Sequence, residues 1–178
     1  MKSLTFWREV RRPSARGHRG MAMNIRTEPP LSADGRRLVE RSEAALLAVY
    51  PPEECFSFTA EELAEKGTQF LVARNDGEAI GCIALVDQGA YGEIKRLYVA
   101  ETARGSGVAR ALIEAAEAAA RDIGLGLLKL ETGHALHEAV SLYRAMGYRE
   151  TEAFGGYPDI TSNLFMEKEI GVRVRLSG

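Results

Sequence analysis

The 178-residue sequence predicts an α/β domain of the α+β mixed-sheet kind: an antiparallel meander joined to one parallel strand–helix–strand crossover. Three observations carry this. Two short, branched and apolar runs flank Asn75-Asp-Gly-Glu78, whose Asp-Gly pair favours a tight hairpin. A long amphipathic helix pattern follows the glycine-containing loop Arg104–Gly107. The nearly continuous apolar run Leu125–Glu131 comes next, as suits a strand buried on both faces.

The elements follow in order. Met23–Thr27 reads as a short first strand, closed by Pro29 and Pro30. From Ser32 the apolar residues Leu38, Val39, Ala45, Leu46 and Val49 recur with helical spacing, and Pro51 and Pro52 are expected to stop that helix. Thr59-Ala-Glu-Glu62 matches a capping box and predicts a second, short helix. Gln69–Arg74 and Ala79–Val86 are the hairpin strands, Gly89–Gly92 turns the chain, and Tyr91–Val99 is the third strand of the meander. On the helix after the loop, Val108, Leu112, Ala116, Ala119 and Ile123 form the apolar stripe. Arg110, Glu114, Glu117 and Arg121 form the opposite, charged one. Gly124 ends this helix. After the strand Leu125–Glu131 comes an amphipathic helix, Leu136–Met146, stopped by Gly147. Tyr148–Glu152 and Asn163–Ile170 complete the sheet. The crossover puts Tyr91–Val99 and Leu125–Glu131 side by side and parallel.

Composition narrows the function classes. A hydrophobic share of 46% supports a full core in a single domain, expected over residues 23–170 with a tail at 171–178. Residues 1–22 carry a net charge of +5 against -7 for the remainder. They contain Pro13, Gly17 and Gly20 and lack the apolar centre of a secretion signal. They read as a disordered extension, or as an overlong start with Met21 or Met23 as the natural beginning. The formal net charge of -2 speaks against general nucleic-acid binding. No apolar run approaches the ~20 residues that span a membrane. Three scattered histidines, His18, His134 and His137, make no metal site. Cys55 and Cys82 lack metal or redox spacing and read as reduced, buried thiols of a cytosolic protein.

The loop Arg104-Gly-Ser-Gly-Val-Ala109 links a strand to a helix start. Its small residues let a ligand approach the backbone. The first N–H groups of a helix have no partner one turn back, and the helix dipole and Arg104 add positive potential. This suits a pyrophosphate. Glycine at such a turn is also commonly only steric. A Walker loop would need Lys-Ser/Thr where Val108-Ala109 stands, and a dinucleotide fingerprint would need Gly or Ala at Arg110.

Arg104, Gly107 and Ala109 match the Gln/Arg-x-x-Gly-x-Gly/Ala signature of the GNAT family of N-acetyltransferases. Leu97-Tyr-Val99 resembles the end of that family's central strand, and Ala139-Val-Ser-Leu-Tyr143-Arg-Ala-Met-Gly147-Tyr148 its second CoA-contacting segment. The resemblance spans about residues 23–170. Glu131-Thr-Gly-His134 and the stretch from Phe154 to Lys168 look like a bacterial, small-molecule-type subgroup.

The resemblance implies the family's acyl-CoA N-acyltransferase fold. It implies acetyl-CoA as co-substrate, no metal, a small-molecule or peptide amine acceptor and, as is common in the family, a homodimer. Arg104, Gly105, Ser106, Gly107, Val108 and Ala109 would hold the pyrophosphate, and backbone N–H groups at Leu97, Tyr98 and Val99 would face the thioester. Tyr143 would contact the cofactor sulfur as general acid or hydrogen-bond donor; taken alone it reads as a core tyrosine on an amphipathic helix, and the other motifs turn the reading. For the base the resemblance points to Glu93 or Glu131, each also readable as a carboxylate paired to Lys95 or Lys129, and a water chain or an amine arriving already neutral is the further alternative. One departure stands out: where many members have a cofactor-contacting Asn, this chain has Leu136. Tyr50, Phe56, Phe58, Phe154 and Tyr157 are expected to line the acceptor region, with Glu53 and Glu54 able to attract a cation. The alternative reading is a non-catalytic acyl-CoA-binding or sensor module.

Overall fold

The computed structural model describes residues 23–65, 67–158 and 160–172. The basic extension expected over residues 1–22, and the tail beyond 172, lie outside them.

Seven strands form one sheet. They are β1 (Met23–Thr27), β2 (Thr68–Asn75), β3 (Glu78–Asp87), β4 (Gly92–Val99), β5 (Leu127–Gly133), β6 (Arg149–Glu150) and β7 (Asn163–Glu169). Their spatial order is β1-β2-β3-β4-β5-β7-β6. Every neighbouring pair is antiparallel except β4–β5. The hairpin between β2 and β3 turns on Asp76 and Gly77, both at positive φ, as an Asp-Gly turn requires.

Helices cover both faces: α1 (Ala33–Leu47), α2 (Ala60–Leu63), α3 (Val108–Asp122) and α4 (His137–Ala145). Alternation along β2 divides the core. Phe70 and Val72 pack with Leu38 and Val39 of α1 and Leu63 of α2. Leu71 and Ala73 face the other way, toward Leu112 and Ala116 of α3 and Val140 of α4. The predicted capping box is present, with Thr59 Oγ1 accepting from the Glu62 N–H and Glu62 from the Thr59 N–H.

Three boundaries differ from the expectation. Helix α1 stops at Leu47, ahead of the prolines, because the N–H groups of Val49 and Tyr50 both turn back to the Leu46 carbonyl. Strand β5 starts at Leu127 because the Leu125 N–H closes the end of α3 on the Ala120 carbonyl. This shift carries β5 to Gly133 and puts Glu131 in mid-strand, opposite Phe165. Strand β6 is two residues long, since the chain leaves after Thr151 as a loop that returns at Asn163.

The stripe on α3 is also rotated from the sequence reading. Ile113 and Ala120 are buried, whereas Ile123 is 46% exposed. Glu117, assigned to the solvent stripe, is buried and held by Lys168 of β7 at 2.7 Å and by Arg121 at 3.3 Å. A lysine reaching from the sheet makes that burial tolerable. Leu112→Ala is therefore expected to cost about 2–5 kcal/mol in urea denaturation, and Ile123→Ala within about 0.5 kcal/mol.

Candidate active site

Parallel pairing between β4 and β5 covers three residue pairs, Gly92–Leu128, Glu93–Lys129 and Ile94–Leu130, and then ceases. Arg96 sits in the left-handed region at φ 53°, where the β3–β4 register also slips. This bulge bends β4 away from β5. Its guanidinium is buried and bonded to the Phe58 carbonyl at 2.8 Å and to Glu43 at 2.7 Å. The two strands therefore open into a cleft of about 880 Å³.

Leu97, Tyr98 and Val99 line this cleft. The Ala100 N–H bonds back to Ile80 of β3, so by strand alternation the Val99 N–H points to the open side, while Leu97 lies in the bulge that borders the cleft. Val99 has no β5 partner beside it, since pairing with β5 ends at Ile94.

The start of α3 borders the same cleft through Arg104, Gly105, Gly107, Val108 and Ala109. Gly107 caps the helix with φ 87° and offers no side-chain cap. The first helical bond runs from the Ala111 N–H to the Gly107 carbonyl, which leaves the N–H groups of Val108, Ala109 and Arg110 without an acceptor one turn back. A side chain at Gly107 would meet no protein atom within 4 Å, so the loop lies open to a ligand. Ser106 departs from the set: its hydroxyl donates to the Ala103 carbonyl at 2.6 Å, and it does not line the cleft. Charge, free N–H groups and open space together suit a pyrophosphate, the chemistry that CoA presents.

Tyr143 and Glu131 also border the cleft. Tyr143 projects from α4 and is 5% exposed, packed edge-on to Tyr148. Burial, and after it the charge of Glu131, pushes its hydroxyl pKa well up, so it stays protonated near neutral pH. The Glu131 carboxyl is pushed up to about 7, chiefly by burial; Lys95 opposes this and Glu93 reinforces it. No hydrogen bond or ion pair is formed by Glu131 among the described residues. Lys129, which sequence offered as its partner, pairs with Glu167 instead.

Glu93, the other proposed base, is 4% exposed and does not border the cleft. It is engaged by Lys95 at 3.0 Å, by Gln88 at 2.9 Å and by the Tyr157 hydroxyl, which donates to it. Lys95 in turn donates to Tyr157 and lies over the Phe58 ring. The structure thus brings Glu131 and Tyr143 to one cavity and places Glu93 behind its wall.

Of the aromatic residues expected around the acceptor, Tyr50, Phe56 and Tyr157 border the cleft. Phe58 and Phe154 stand behind them, Phe58 under Lys95 and Phe154 between Tyr91, Tyr157 and Phe165. Glu54 reaches the cleft and Glu53 does not. Cys55 is half-buried and borders the cleft, contrary to the expectation of burial; Cys82 is fully buried. Leu136 and His137 both border it, and no ring hydrogen bond to protein is formed by His134 or His137 among the described residues.

Two features went unread in the sequence. The Arg96 bulge has no local sequence signal, because Arg at positive φ is set by its buried partners. The second is a bridge from Tyr50, whose hydroxyl accepts from the Ala135 N–H at 2.8 Å. Its ring lies where a Cβ on Gly133 would be, within 2.0 Å of the hydroxyl. The glycine after Glu131-Thr132 was the available hint.

Among the described residues no helix is long and apolar enough to cross a membrane. Nor is there a group of three His, Cys, Asp or Glu able to hold a metal ion.

Comparison with known proteins agrees with this geometry. Residues 35–148 match the model of the Acetyltransferase (GNAT) family. An IAA acetyltransferase of Azospirillum brasilense is 39% identical over 150 residues, covering 83% of this chain and 98% of that protein. A crystal structure described as an acyl-CoA N-acyltransferase of Klebsiella pneumoniae superposes with a TM-score of 0.72 at 30% identity, covering 84% and 99% of the two chains. A PaiA N-acetyltransferase of Thermoplasma acidophilum, solved with coenzyme A, gives 0.67 at 22% identity over 84% and 99%, a likeness of fold. With its splayed central strands and its open helix start, the chain belongs to the GNAT acetyltransferase family and is an acyltransferase.

Proposed function

We propose that this enzyme moves the acetyl group of acetyl-CoA to a primary amine of a small molecule, or of a peptide, by direct attack within a ternary complex. The observation that carries the reading is the convergence of an unpaired carboxylate, Glu131, and a protonated phenol, Tyr143, on the cleft that also meets the start of α3. A sensor that only bound acyl-CoA would need the cradle and neither of these groups.

Arg104 and the N–H groups of Val108, Ala109 and Arg110 would bind the pyrophosphate. The N–H groups of Leu97 and Val99 would face the thioester carbonyl and meet the charge that develops on its oxygen. Glu131 takes one proton from the incoming ammonium. The neutral nitrogen forms a bond to the acetyl carbon, the carbon–sulfur bond breaks, and the second nitrogen proton ends on the sulfur. The products are the N-acetyl amine, free CoA thiol and one proton.

The two groups act in concert. Glu131 is among the causes of the raised Tyr143 pKa. Once Glu131 has accepted a proton its charge is gone, and Tyr143 becomes a better donor when the thiolate departs. An elevated phenol pKa favours hydrogen-bond donation to that sulfur over complete proton transfer.

Three outcomes test the reading. Tyr143→Phe is expected to lower kcat about a hundredfold while the KM for acetyl-CoA moves less than about threefold, read by thiol release with an amine present. Arg104→Ala is expected to raise the KM for acetyl-CoA about tenfold with kcat held. For Glu131, kcat/KM for the amine should rise about tenfold per pH unit up to about pH 7 and then level, and Glu131→Gln should lose that limb. The same residue governs stability with a definite sign. A carboxyl raised above its ordinary value binds its proton better when folded, so stability is highest below that value and falls as pH rises through about 7. Glu131→Gln should therefore gain on the parent between pH 5 and pH 8, by up to about 3 kcal/mol, in thermal denaturation.

A further inference from the structure

We propose that the acceptor is an aralkyl monoamine: a primary amine on a short saturated arm, with an aromatic body and no carboxylate beside the nitrogen. This rests on the acetyl-transfer reading above and deepens it. The grounds are the charge ledger and the walls of the chamber around Glu131.

Two cations border that part of the cleft, Lys95 and Arg96. Neither is available. The Lys95 ammonium is held by Glu93 and Tyr157 and lies over the rings of Phe58 and Tyr157, with its side chain 8% exposed. The Arg96 guanidinium is held by Glu43 and the Phe58 carbonyl, with its side chain 3% exposed. Each positive charge is thus neutralised by a carboxylate within the wall. Glu131 has no such partner, and Glu54 and Glu138 add two further carboxylates to the lining. Arg104 and Arg110 belong to the start of α3, where the pyrophosphate is expected. The chamber therefore offers a negative charge to an ammonium and no free positive charge to a carboxylate. An α-amino acid would bring its own carboxylate next to Glu131 in a partly desolvated site, an unpaired like-charge contact.

The walls supply the second half. Tyr50, Phe56 and Tyr157 border the cleft around Glu131, and all three are held in place. Tyr50 is bonded to the Ala135 N–H over Gly133, two residues along the same face of β5 from Glu131. Tyr157 is fastened to Glu93 and Lys95, and Phe56 meets it edge-on at 6.3 Å. Leu46 and Val49 of the α1 end extend the apolar lining. Fixed aromatic surfaces of this kind favour a flat apolar body over a flexible polar one.

The test is thiol release at saturating acetyl-CoA with matched acceptors: phenethylamine, phenylalanine, phenylalaninamide, butylamine and a short peptide with a free N-terminus. Phenethylamine is expected to exceed phenylalanine in kcat/KM by about a hundredfold and butylamine by about tenfold. Phenylalaninamide keeps the size of the amino acid without its charge, and is expected within about tenfold of phenethylamine. Phenylalanine or the peptide at parity with phenethylamine would overturn the proposal while leaving acetyl transfer intact. Phenylalaninamide as poor as phenylalanine would overturn the charge argument, and butylamine at parity would overturn the aromatic one. No thiol release with any acceptor would remove the acetyl-transfer reading, and this proposal with it.

Discussion

Separation of β4 from β5 is the constraint on which the rest of the molecule depends. Parallel strands ordinarily stay paired, because each unpaired N–H left inside a protein is costly. Here pairing ends at Ile94–Leu130. The strained backbone of Arg96 turns β4 aside, and the buried bonds of Arg96 to Glu43 and Phe58 hold it there. A backbone conformation that disfavours arginine by about 1–2 kcal/mol persists because α1 and the segment before α2 supply those partners. Leu97 and Val99 then border a cavity rather than a paired strand. Without the separation there would be no cleft between them and Glu131.

The same sheet face shows how the protein manages buried charge. Lys95 and Glu93, Lys129 and Glu167, Arg96 and Glu43 are all joined in close pairs. Such pairs add little net stability after desolvation, yet breaking one leaves an unmatched charge. Their arrangement leaves Glu131 in the cleft wall without a bonded cation, and burial that no such partner offsets raises its carboxyl to about 7. A group poised there exchanges protons readily at neutral pH. The cost falls on stability, as is usual where a site needs a group in an unfavourable environment.

The loop between β6 and β7 takes the place of a helix over this face. Tyr157 fastens it to Glu93 and Lys95, and Phe154 wedges between Tyr91 and Phe165. The pair Glu93 and Tyr157 thus shapes the chamber that Glu131 borders. Glu93 is engaged there by three side chains, Tyr157, Lys95 and Gln88.

The place of β1 beside β2 came from the structure, whereas sequence by itself determined the order from β2 through β5, the two hairpin strands and their turn, the capping box at Thr59 and the glycine-containing loop before α3. These are local: a periodicity, a turn dipeptide or a cap is written within a few residues. The resemblance of its motifs to the GNAT family, rather than any local offset, pointed to Arg104 and Tyr143, and both border the cleft. Tertiary structure alone decided between Glu93 and Glu131 for contact with the cleft. Their separation depends on distant residues: Tyr157, 64 positions on, closes over Glu93, and the part of β5 that carries Glu131 pairs with β7 but no longer with β4. Leu125, drawn into the end of α3, shifted β5 by two residues and brought Glu131 into mid-strand. Burial and charge pairing are sums over such distant neighbours, and no short window of sequence contains them.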